Sequence, residues 1–328
     1  KHIMNNLFIG IMSGTSRDSL DACLVDFTDH FQIITAETLD FSASYKTSTE
    51  ISEINNEITN RSVEIVKNLL EKSSLKESDV VGIGFSGQTI SHDENHSLQA
   101  GDPKKIAEST KINVFSDFRN KNIAEGGRGA PLIPDFHQYI FSETGKRKLI
   151  INIGGISNGT YLDGEKIASA SDIGPGNCLL DLTMTSLQLG DYDKDGKLAS
   201  SGTINHSIKE ELMSNFRNMQ YPRADDITAY TDPFIKKFEE YKEIPINELL
   251  RTLVEVTAEK IKEYYEHCDM PDEIIFHGGG TLNKTLMKSI TEKTRDDIQT
   301  TDHIVPSKYM ESSAFAYLAY AGKGVLFK

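Results

Sequence analysis

The sequence predicts an α/β protein made of two similar halves with a cleft between them, on three observations. The chain has 328 residues, enough for about two domains of 150 residues. A strand–turn–strand–strand pattern over residues 7–41 returns over residues 146–174 as a degenerate internal repeat. A later strand runs into three glycines in DEIIFHGGG, residues 272–280, and a helix follows it.

Each predicted element follows from a local pattern. Short runs rich in Ile, Leu, Val and Phe predict strands. In addition to the strands of the repeat, two such runs lie at residues 80–87 and 112–117. Apolar residues at helical spacing, or helix-start signals, predict helices over 50–72, 103–111, 131–142, 177–189, 246–268, 283–294 and 307–321. Residues 196–245 are predicted to be mixed, helical and polar.

Composition excludes several classes of function. A net charge of -14 argues against a nucleic-acid binder, which would carry a basic surface. The cysteines, Cys23, Cys178 and Cys268, lack metal-site spacing and indicate a reducing compartment such as the cytoplasm. No apolar run reaches the roughly 18 residues of a membrane helix. We therefore expect neither a nucleic acid nor a membrane as partner.

Three glycine-bearing turns follow strands, and they contain Gly10 and Gly14, Gly154 and Gly155, and Gly278, Gly279 and Gly280. Glycine lets backbone N–H groups converge, and such a concavity suits phosphate oxygens. The carboxylates of Asp18 and Asp21 beside the first turn would suit Mg²⁺. The alternative is plain strand-end turns, but three such turns in one chain favour phosphate binding. None matches a Walker or a Rossmann fingerprint.

Asp172 is the acid–base candidate. In ASDIGPGNCLLD it ends a strand before a rigid Pro–Gly corner, and Asn177 is expected to cap the next helix. A carboxylate held this way can act as a general base on a water within about 3 Å. The competing interpretation is an aspartate that caps the helix N-terminus.

Four other polar residues are weaker candidates. Glu311 begins the C-terminal helix, where the macrodipole alone would favour a glutamate. Arg119 follows a buried strand and could bind a carboxylate or phosphate in bidentate fashion, although a surface arginine is the alternative. Gln88 and Thr89 follow a strand and a glycine, which is compatible with a place in the cleft.

Seven motifs carry a family resemblance, and in chain order they are MSGTSRDSLD, SGQTISH, SDFRNKNIAEGGRGAPLIPDFH, NIGGISN, DIGPGNCLLD, YDKDG and ESSAFAYLA. Over residues 7–320 the chain resembles the anhydro-N-acetylmuramic acid kinases of the actin/hexokinase/Hsp70 ATPase superfamily. The resemblance implies two actin-like (ribonuclease H-like) domains with a central nucleotide and sugar cleft. We place the first domain at residues 4–145 plus 307–328 and the second at 146–306.

The resemblance also implies a reaction. Water opens the 1,6-anhydro ring of 1,6-anhydro-N-acetylmuramic acid, from cell-wall recycling, while the 6-oxygen takes the γ-phosphoryl group of ATP. Asp172 matches the aspartate that activates the water, and Glu311 matches a glutamate that contacts sugar and base. ATP and Mg²⁺ are the implied cofactors, and a homodimer is the implied assembly.

The implied site residues divide by ligand. The nucleotide and its metal would be held by Gly14, Thr15, Ser16, Asp18, Asp21, Gly154, Gly155, Gly278, Gly279, Gly280 and Asn283, with Asp18 as the metal ligand. The sugar would be held by Gln88, Thr89, Arg119, Pro131, His137, Gly174 and Asn177. The alternative interpretation of His137 is a histidine satisfied in the core, without contact to a ligand.

The chain departs from the family pattern in three places. First, Ser19 replaces a glycine, and second, Asn122 replaces an aspartate and Arg128 a glutamine within one stretch. The third and most serious departure is the loss of the family's K-S-T-G-R-E segment. The corresponding stretch here is MQYPRADDITAYTD, where Arg223 and Asp225 stand nearby without matching that segment. This change leaves open a kinase for another anhydro- or free sugar, or a nucleotide-binding paralogue without turnover.

Overall fold

A computed structural model describes residues 6–14, 17–92, 96–127, 129, 131–217 and 219–328. The chain divides into two compact units, Lys1–Phe136 with Lys308–Lys328, and His137–Ser307. The division falls inside one helix, so the first unit ends at Phe136 rather than at the expected residue 145. The ring of Phe136 packs on Phe31 and Tyr317 of the first unit, whereas His137 bonds within the second.

The first unit contains β1 (Leu7–Ser13), β2 (Ser19–Asp26), β3 (Gln32–Asp40), α1 (Ala43–Thr47), α2 (Ile51–Ser73), β4 (Gly82–Phe85), β5 (Gln88–His92), β6 (Ser97–Ala100), α3 (Pro103–Thr110), β7 (Val114–Ser116) and α4 (Phe118–Ala124). Helix α5 (Pro134–Phe141) spans the division.

The second unit contains β8 (Arg147–Ile153), β9 (Ile156–Asp163), β10 (Lys166–Pro175), α6 (Cys178–Ser186), α7 (Lys197–Ser200), α8 (His206–Asn215), α9 (Thr228–Lys236), α10 (Phe238–Tyr241), α11 (Ile246–His267), β11 (Glu273–His277), α12 (Lys284–Lys293) and β12 (Gln299–Thr300). The chain then returns to the first unit with α13 (Met310–Tyr320) and β13 (Val325–Phe327).

The predicted internal repeat is confirmed by the sheet topology. In the first unit β1, β2 and β3 form an antiparallel meander and β4 and β7 follow as parallel strands, in the order β13-β7-β4-β1-β2-β3. In the second unit β8, β9 and β10 repeat the meander beside parallel β11 and β12, in the order β10-β9-β8-β11-β12. Each sheet therefore presents the turn after its first strand at an equivalent position.

Glycines in the first sheet allow helix α13 to pack directly on it. A Cβ at Gly10 would lie 1.7 Å from the carbonyl oxygen of Ser312, and a Cβ at Gly84 would lie 1.9 Å from that of Phe315. Both contacts are with backbone, which cannot yield as a flexible side chain would. The helix buries Phe315, Leu318 and Ala319, and this packing places Glu311 at the start of the helix on the sheet.

One hairpin was not predicted, and one region was predicted only in outline. The β5–β6 hairpin was not predicted, because SGQTISH carries too few large apolar residues to mark a strand. The mixed region 196–245 contains α7 to α10. Buried Phe216, Tyr230 and Phe234 tie it to the core of the second unit.

Candidate active site

Asp172 lies on a bulge of strand β10. The register between β9 and β10 shifts between Asp172 and Gly174, and a bulge of this kind changes the direction in which a side chain points. The backbone N–H of Asp225 donates to Oδ2 of Asp172 at 2.7 Å. Burial raises the pKa of the Asp172 carboxyl, the hydrogen bond from Asp225 opposes this effect, and the Asp225 charge adds to it. A half-buried carboxylate with a raised pKa suits proton abstraction.

The Gly154–Gly155 turn packs against the start of helix α6. The N–H of Gly176 donates to the Gly155 carbonyl at 2.9 Å, and that of Asn177 donates to the Gly154 carbonyl at 2.8 Å. A Cβ on Gly176 would lie 2.2 Å from the Gly154 oxygen. The turn and the corner after Asp172 thus form one rigid structure.

Asn177 is a correction to the sequence-based prediction. It occupies the N-cap position of α6, but its side chain accepts no capping hydrogen bond. Its amide instead donates to the carbonyl oxygen of Ile153 at 3.3 Å. The reason is local, because its backbone is already helical, with φ -88° and ψ -12°, whereas a capping residue normally has extended backbone.

The Gly278–Gly280 turn follows β11, and the space around each of its glycines is different. Gly278 has φ +91°, and a Cβ there would lie 2.3 Å from Oδ1 of Asn152. A Cβ on Gly280 would lie 2.2 Å from Cγ2 of Ile153, whereas one on Gly279 would meet nothing within 4 Å. The exposed middle glycine therefore faces open space, and its neighbours are fixed by packing.

A cavity of about 310 Å³ opens beside this turn. Three of the residues that line it were predicted site residues, namely Asn177, Gly279 and Asn283. Six others were not, namely Leu180, Asp181, Tyr192, Asp193, Asp195 and Leu282. Burial and the nearby Asp191 raise the pKa of Asp181 to about 6. Leu282 is 73% exposed and Tyr192 is 60% exposed. Such exposure of large side chains marks these two residues in the structure, whereas no sequence pattern marks them.

Asn283 and the YDKDG motif build the rim of this cavity. The Asn283 side chain caps α12 by accepting the N–H of Leu286 at 3.0 Å. A Cβ on Gly196, the last residue of the motif, would lie 2.1 Å from Oδ1 of Asn283. The carboxylate of Asp193 accepts the N–H groups of Leu198 and Ala199 at 2.9 and 3.0 Å. The motif therefore has a structural role in shaping the cavity.

The first glycine turn belongs to the first unit and is held by Gln88. The Gly14 carbonyl accepts the N–H of Arg17 at 3.1 Å and the Gln88 amide at 3.3 Å. Gln88 is fully buried, and its Oε1 also accepts the hydroxyl of Ser13 at 2.6 Å. The structure thus gives Gln88 a role in supporting the turn. Thr15 and Ser16, predicted to contact phosphate, lie outside the described residues.

Three charged residues lie near one another around the start of α13. Asp21, on β2, accepts a hydrogen bond from the Thr38 hydroxyl at 2.5 Å, and burial raises the pKa of its carboxyl. Burial also raises the pKa of Glu311, while Arg119 opposes the shift and Asp21 adds to it. Arg119 donates to the Gly129 carbonyl at 3.0 Å. This cluster brings together three predicted residues, Asp21, Arg119 and Glu311.

The structure describes the surroundings of four further predicted sugar ligands. His137 is buried, its Nδ1 lies 2.9 Å from the Thr160 hydroxyl, and its Nε2 lies 3.1 Å from Nε2 of His277. Gly174 is buried where a Cβ would lie 2.9 Å from Cβ of Lys260. Thr89 bonds the Gln99 side chain within its hairpin at 2.9 Å, and Pro131 is exposed. The burial and the two partners of His137 favour its alternative interpretation, a histidine satisfied in the core.

The residues present fit a nucleotide and a magnesium ion. The cavity beside Gly279 combines apolar walls with carboxylate and amide groups, and its size suits a nucleoside. Mg²⁺ bound to phosphates needs only one or two carboxylates, and Asp18 is exposed beside the first turn, in an ion pair with Lys46 at 3.1 Å. In the described part of the chain no group of three or more His, Cys, Asp or Glu side chains could hold a metal alone.

Among the residues that the structure describes, none of the helices combines the length and the apolar character needed to span a bilayer.

Known proteins similar in sequence share one description. The family model of anhydro-N-acetylmuramic acid kinase matches residues 6–323. A protein of that name from Shewanella sp. (strain MR-4) is 35% identical over 95% of this chain and 90% of its own length. One from Shewanella frigidimarina (strain NCIMB 400) is 36% identical over 334 aligned residues.

Solved structures show a likeness of fold. The activator of the 2-hydroxyisocaproyl-CoA dehydratase from Clostridium difficile, with bound ADPNP, matches with a TM-score of 0.52 and 13% identity over 97% of this chain and 95% of that one. Component A of the (R)-2-hydroxyglutaryl-CoA dehydratase from Acidaminococcus fermentans gives a TM-score of 0.54 and 12% identity, over 97% and 99%. The likeness confirms the predicted mixed α/β, actin-like fold.

Proposed function

Because the chain belongs to the anhydro-N-acetylmuramic acid kinase family, we propose that it is an ATP-dependent sugar kinase of cell-wall recycling. Its acceptor is 1,6-anhydro-N-acetylmuramic acid, which is hydrolysed at the anhydro bridge and phosphorylated on O6. The observation that carries the chemistry is Asp172, a half-buried carboxylate on a bulge, held by the N–H of Asp225 at 2.7 Å and joined to a rigid glycine corner.

Asp172 is proposed to take a proton from the attacking water. The water oxygen forms a bond to C1 of the sugar, the C1–O6 bond breaks, and O6 forms a bond to the γ-phosphorus as ADP leaves. A raised pKa of the Asp172 carboxyl makes it a stronger base than an exposed aspartate. Phosphoryl transfer itself depends mainly on placement and charge neutralisation.

The nucleotide is proposed to occupy the cavity beside Gly279, with its phosphates at the glycine turns. Leu282 and Tyr192 offer apolar surface for a base, and Asp181 offers an acceptor for hydroxyl or amino groups. Asp18 and Asp21 would hold Mg²⁺, which neutralises charge on the phosphates. Binding at Asp18 would require Lys46 to move from its present ion pair.

The lactyl carboxylate and a hydroxyl of the sugar are proposed to contact Arg119 and Glu311. These residues approach one another around the start of α13. Burial lowers the pKa of the Arg119 guanidinium, so an anionic ligand that displaces water there would be strongly attracted. The negative charge of Asp21, on strand β2, raises the pKa of the Glu311 carboxyl.

Turnover tests the proposal directly. The protein is incubated with ATP, Mg²⁺ and a panel of anhydro- and free sugars, and ADP release is followed. Turnover on the anhydro-amino sugar is the expected result. D172N is expected to abolish turnover while nucleotide affinity stays nearly unchanged, and an active D172N enzyme would contradict the role of Asp172.

A different acceptor is the second candidate. The observation that favours it is the divergent segment around Arg223, which packs directly against Asp172. Turnover on another sugar in the same panel, without turnover on 1,6-anhydro-N-acetylmuramic acid, would select it. Nucleotide binding without ADP release on any sugar would indicate a paralogue without turnover.

We also propose that the enzyme acts in the cytoplasm as a homodimer. All three cysteines are free and buried, which fits a reducing compartment. Light scattering coupled to gel filtration measures the assembly, and a monomer at working concentration would refute the dimer.

A further inference from the structure

We propose that Arg223, Asp225 and Tyr230 are positioning residues that clamp Asp172 in the orientation needed to activate water. The inference rests on the proposed kinase function for its catalytic meaning. It concerns the segment in which the sequence departs from the family pattern. That segment is therefore assigned a role of its own in this chain.

The clamp fixes one oxygen of Asp172 through backbone. The N–H of Asp172 donates to the Arg223 carbonyl at 2.9 Å, and the N–H of Asp225 donates to Oδ2 of Asp172 at 2.7 Å. Within the described residues, no group donates to Oδ1 of Asp172. One oxygen is thus held by the protein, and the other is left to accept a hydrogen bond from water.

Side chains lock the segment in this position. The Asp225 carboxylate accepts Nε of Arg223 at 2.6 Å and the Tyr230 hydroxyl, and Tyr230 is fully buried. Arg223 also donates to the carbonyl of Ile173. Its guanidinium lies 4.6 Å from the centre of the Tyr221 ring. Arg223 and Asp225 are each only 10% exposed at the side chain, so the pair is enclosed.

The clamp contacts strand β10 on both sides of Asp172. The N–H of Arg223 donates to the Ser171 hydroxyl at 2.9 Å, and Ile173 accepts from the guanidinium on the other side. The segment then reaches the glycine turn, because Ile227 would lie 3.4 Å from a Cβ on Gly155. A shift of the segment would therefore move both the carboxylate and the wall of the turn.

Charges in the clamp act on Asp172 in opposite directions. The negative charge of Asp225 raises the pKa of the Asp172 carboxyl and the positive charge of Arg223 lowers it, while the hydrogen bond from the N–H of Asp225 also lowers it. Helix α11 also packs on this strand, and there Lys260 lies against Gly174 and is paired with Glu263. Removing one member of the Arg223–Asp225 pair should therefore shift the titration of Asp172 in a direction set by which member is removed.

Two substitutions make this difference measurable. Asp225→Asn keeps the shape and the backbone N–H but removes the negative charge, so the acid limb of kcat/KM should move to lower pH. Arg223→Gln should move it to higher pH. In both, kcat should fall about tenfold to a hundredfold, as expected for a displaced catalytic group, with little change in the KM for the sugar. Tyr230→Phe should lower kcat less, and Arg223→Lys should restore part of the activity lost in Arg223→Gln.

The chain offers a matched control. Arg295 and Asp297, in the second unit, form another Arg–Asp pair with the same spacing of two residues. Nε of Arg295 donates to Oδ1 of Asp297 at 2.6 Å. Asp297 is 70% exposed at its side chain. Asp297→Asn should leave kcat and the pH profile unchanged. A similar loss of activity in Asp297→Asn would show that any broken Arg–Asp pair has this effect and would overturn the proposal.

A readout independent of turnover separates the clamp from the kinase function. The Asp172 carboxyl is titrated by ¹³C NMR in protein labelled at aspartate, with its signal assigned by D172N. Circular dichroism selects the folded variants, and Tyr230→Phe serves where a charge variant fails to fold. Opposite shifts of the Asp172 midpoint in Asp225→Asn and Arg223→Gln support the clamp even if no sugar turns over. Unchanged midpoints, together with kcat unaffected in Tyr230→Phe, overturn it even if the kinase is active.

Discussion

The buried pair His137 and His277 predicts how the second unit loses stability in acid. Their Nε2 atoms lie 3.1 Å apart, so one ring donates and the other accepts, and the two rings cannot both be protonated. Burial lowers the pKa of His277 from its ordinary 6.5 to about 4. Burial and the neighbouring ring lower the pKa of His137 well below 6.5. The folded state therefore resists protonation that the unfolded chain accepts.

The size of the effect follows from linkage. Above pH 6.5 both states are neutral and the pair has no pH-dependent effect. As the pH falls from 6.5 towards 4, the unfolded state binds protons that the folded state does not, and stability is lost. For His277 alone the loss between pH 7 and pH 5 is about 2 kcal/mol. This is a substantial part of a typical domain stability of about 5–15 kcal/mol.

Urea unfolding at pH 7, 6 and 5, followed by tyrosine fluorescence, measures this loss. His277→Asn is expected to be less stable at pH 7 but to lose about 2 kcal/mol less than the wild type between pH 7 and pH 5. His206→Asn, which removes an exposed histidine of the same unit, should leave the wild-type pH dependence unchanged. Equal losses in His277→Asn and the wild type would refute the reasoning.

Three further predictions concern glycines and the nucleotide cavity. Gly84→Ala should destabilise the first unit by about 3 kcal/mol or more in urea unfolding, because its Cβ would meet the Phe315 carbonyl; a change below 1 kcal/mol, roughly, would contradict this packing. Gly279→Ala should change stability by less than about 0.5 kcal/mol, whereas Gly278→Ala, at φ +91°, should cost about 1–3 kcal/mol; equal effects would show that the two sites do not differ. Adenosine affinity, measured by calorimetry, should rise between pH 5 and pH 7 as Asp181 ionises, by up to about 1.5 kcal/mol, and Asp181→Asn should abolish this rise; a rise that persists in the variant would exclude Asp181.

Local patterns predicted much of the fold. Helices α2, α11 and α12 lie within one or two residues of their predicted ranges, because their apolar spacing is strong. The β5–β6 hairpin was missed because its stability comes from polar contacts such as Thr89 with Gln99. The division inside α5 depends on which unit each side chain packs into, and no local pattern contains that information.

The candidate site was predictable in part. The corner after Asp172 and the open Gly279 were found from Gly–Pro chemistry and glycine clustering. The burial of His137 and Gln88 could not be found this way, because a polar side chain beside a glycine turn looks the same whether it faces a ligand or supports the backbone. Arg223 and Asp225 were noticed only as residues without a family match. Their bonds to Asp172 span about fifty positions of sequence, which pattern reasoning does not cover.

Helix α13 and strand β13 complete the first unit although they follow the whole second unit in the chain. Until residue 320 has left the ribosome, the face of the first sheet around Gly10 and Gly84 has no helix to cover it. The second unit has its whole chain earlier, since Ser307 precedes α13. On the ribosome, the second unit can therefore finish folding first, while the first unit waits for α13.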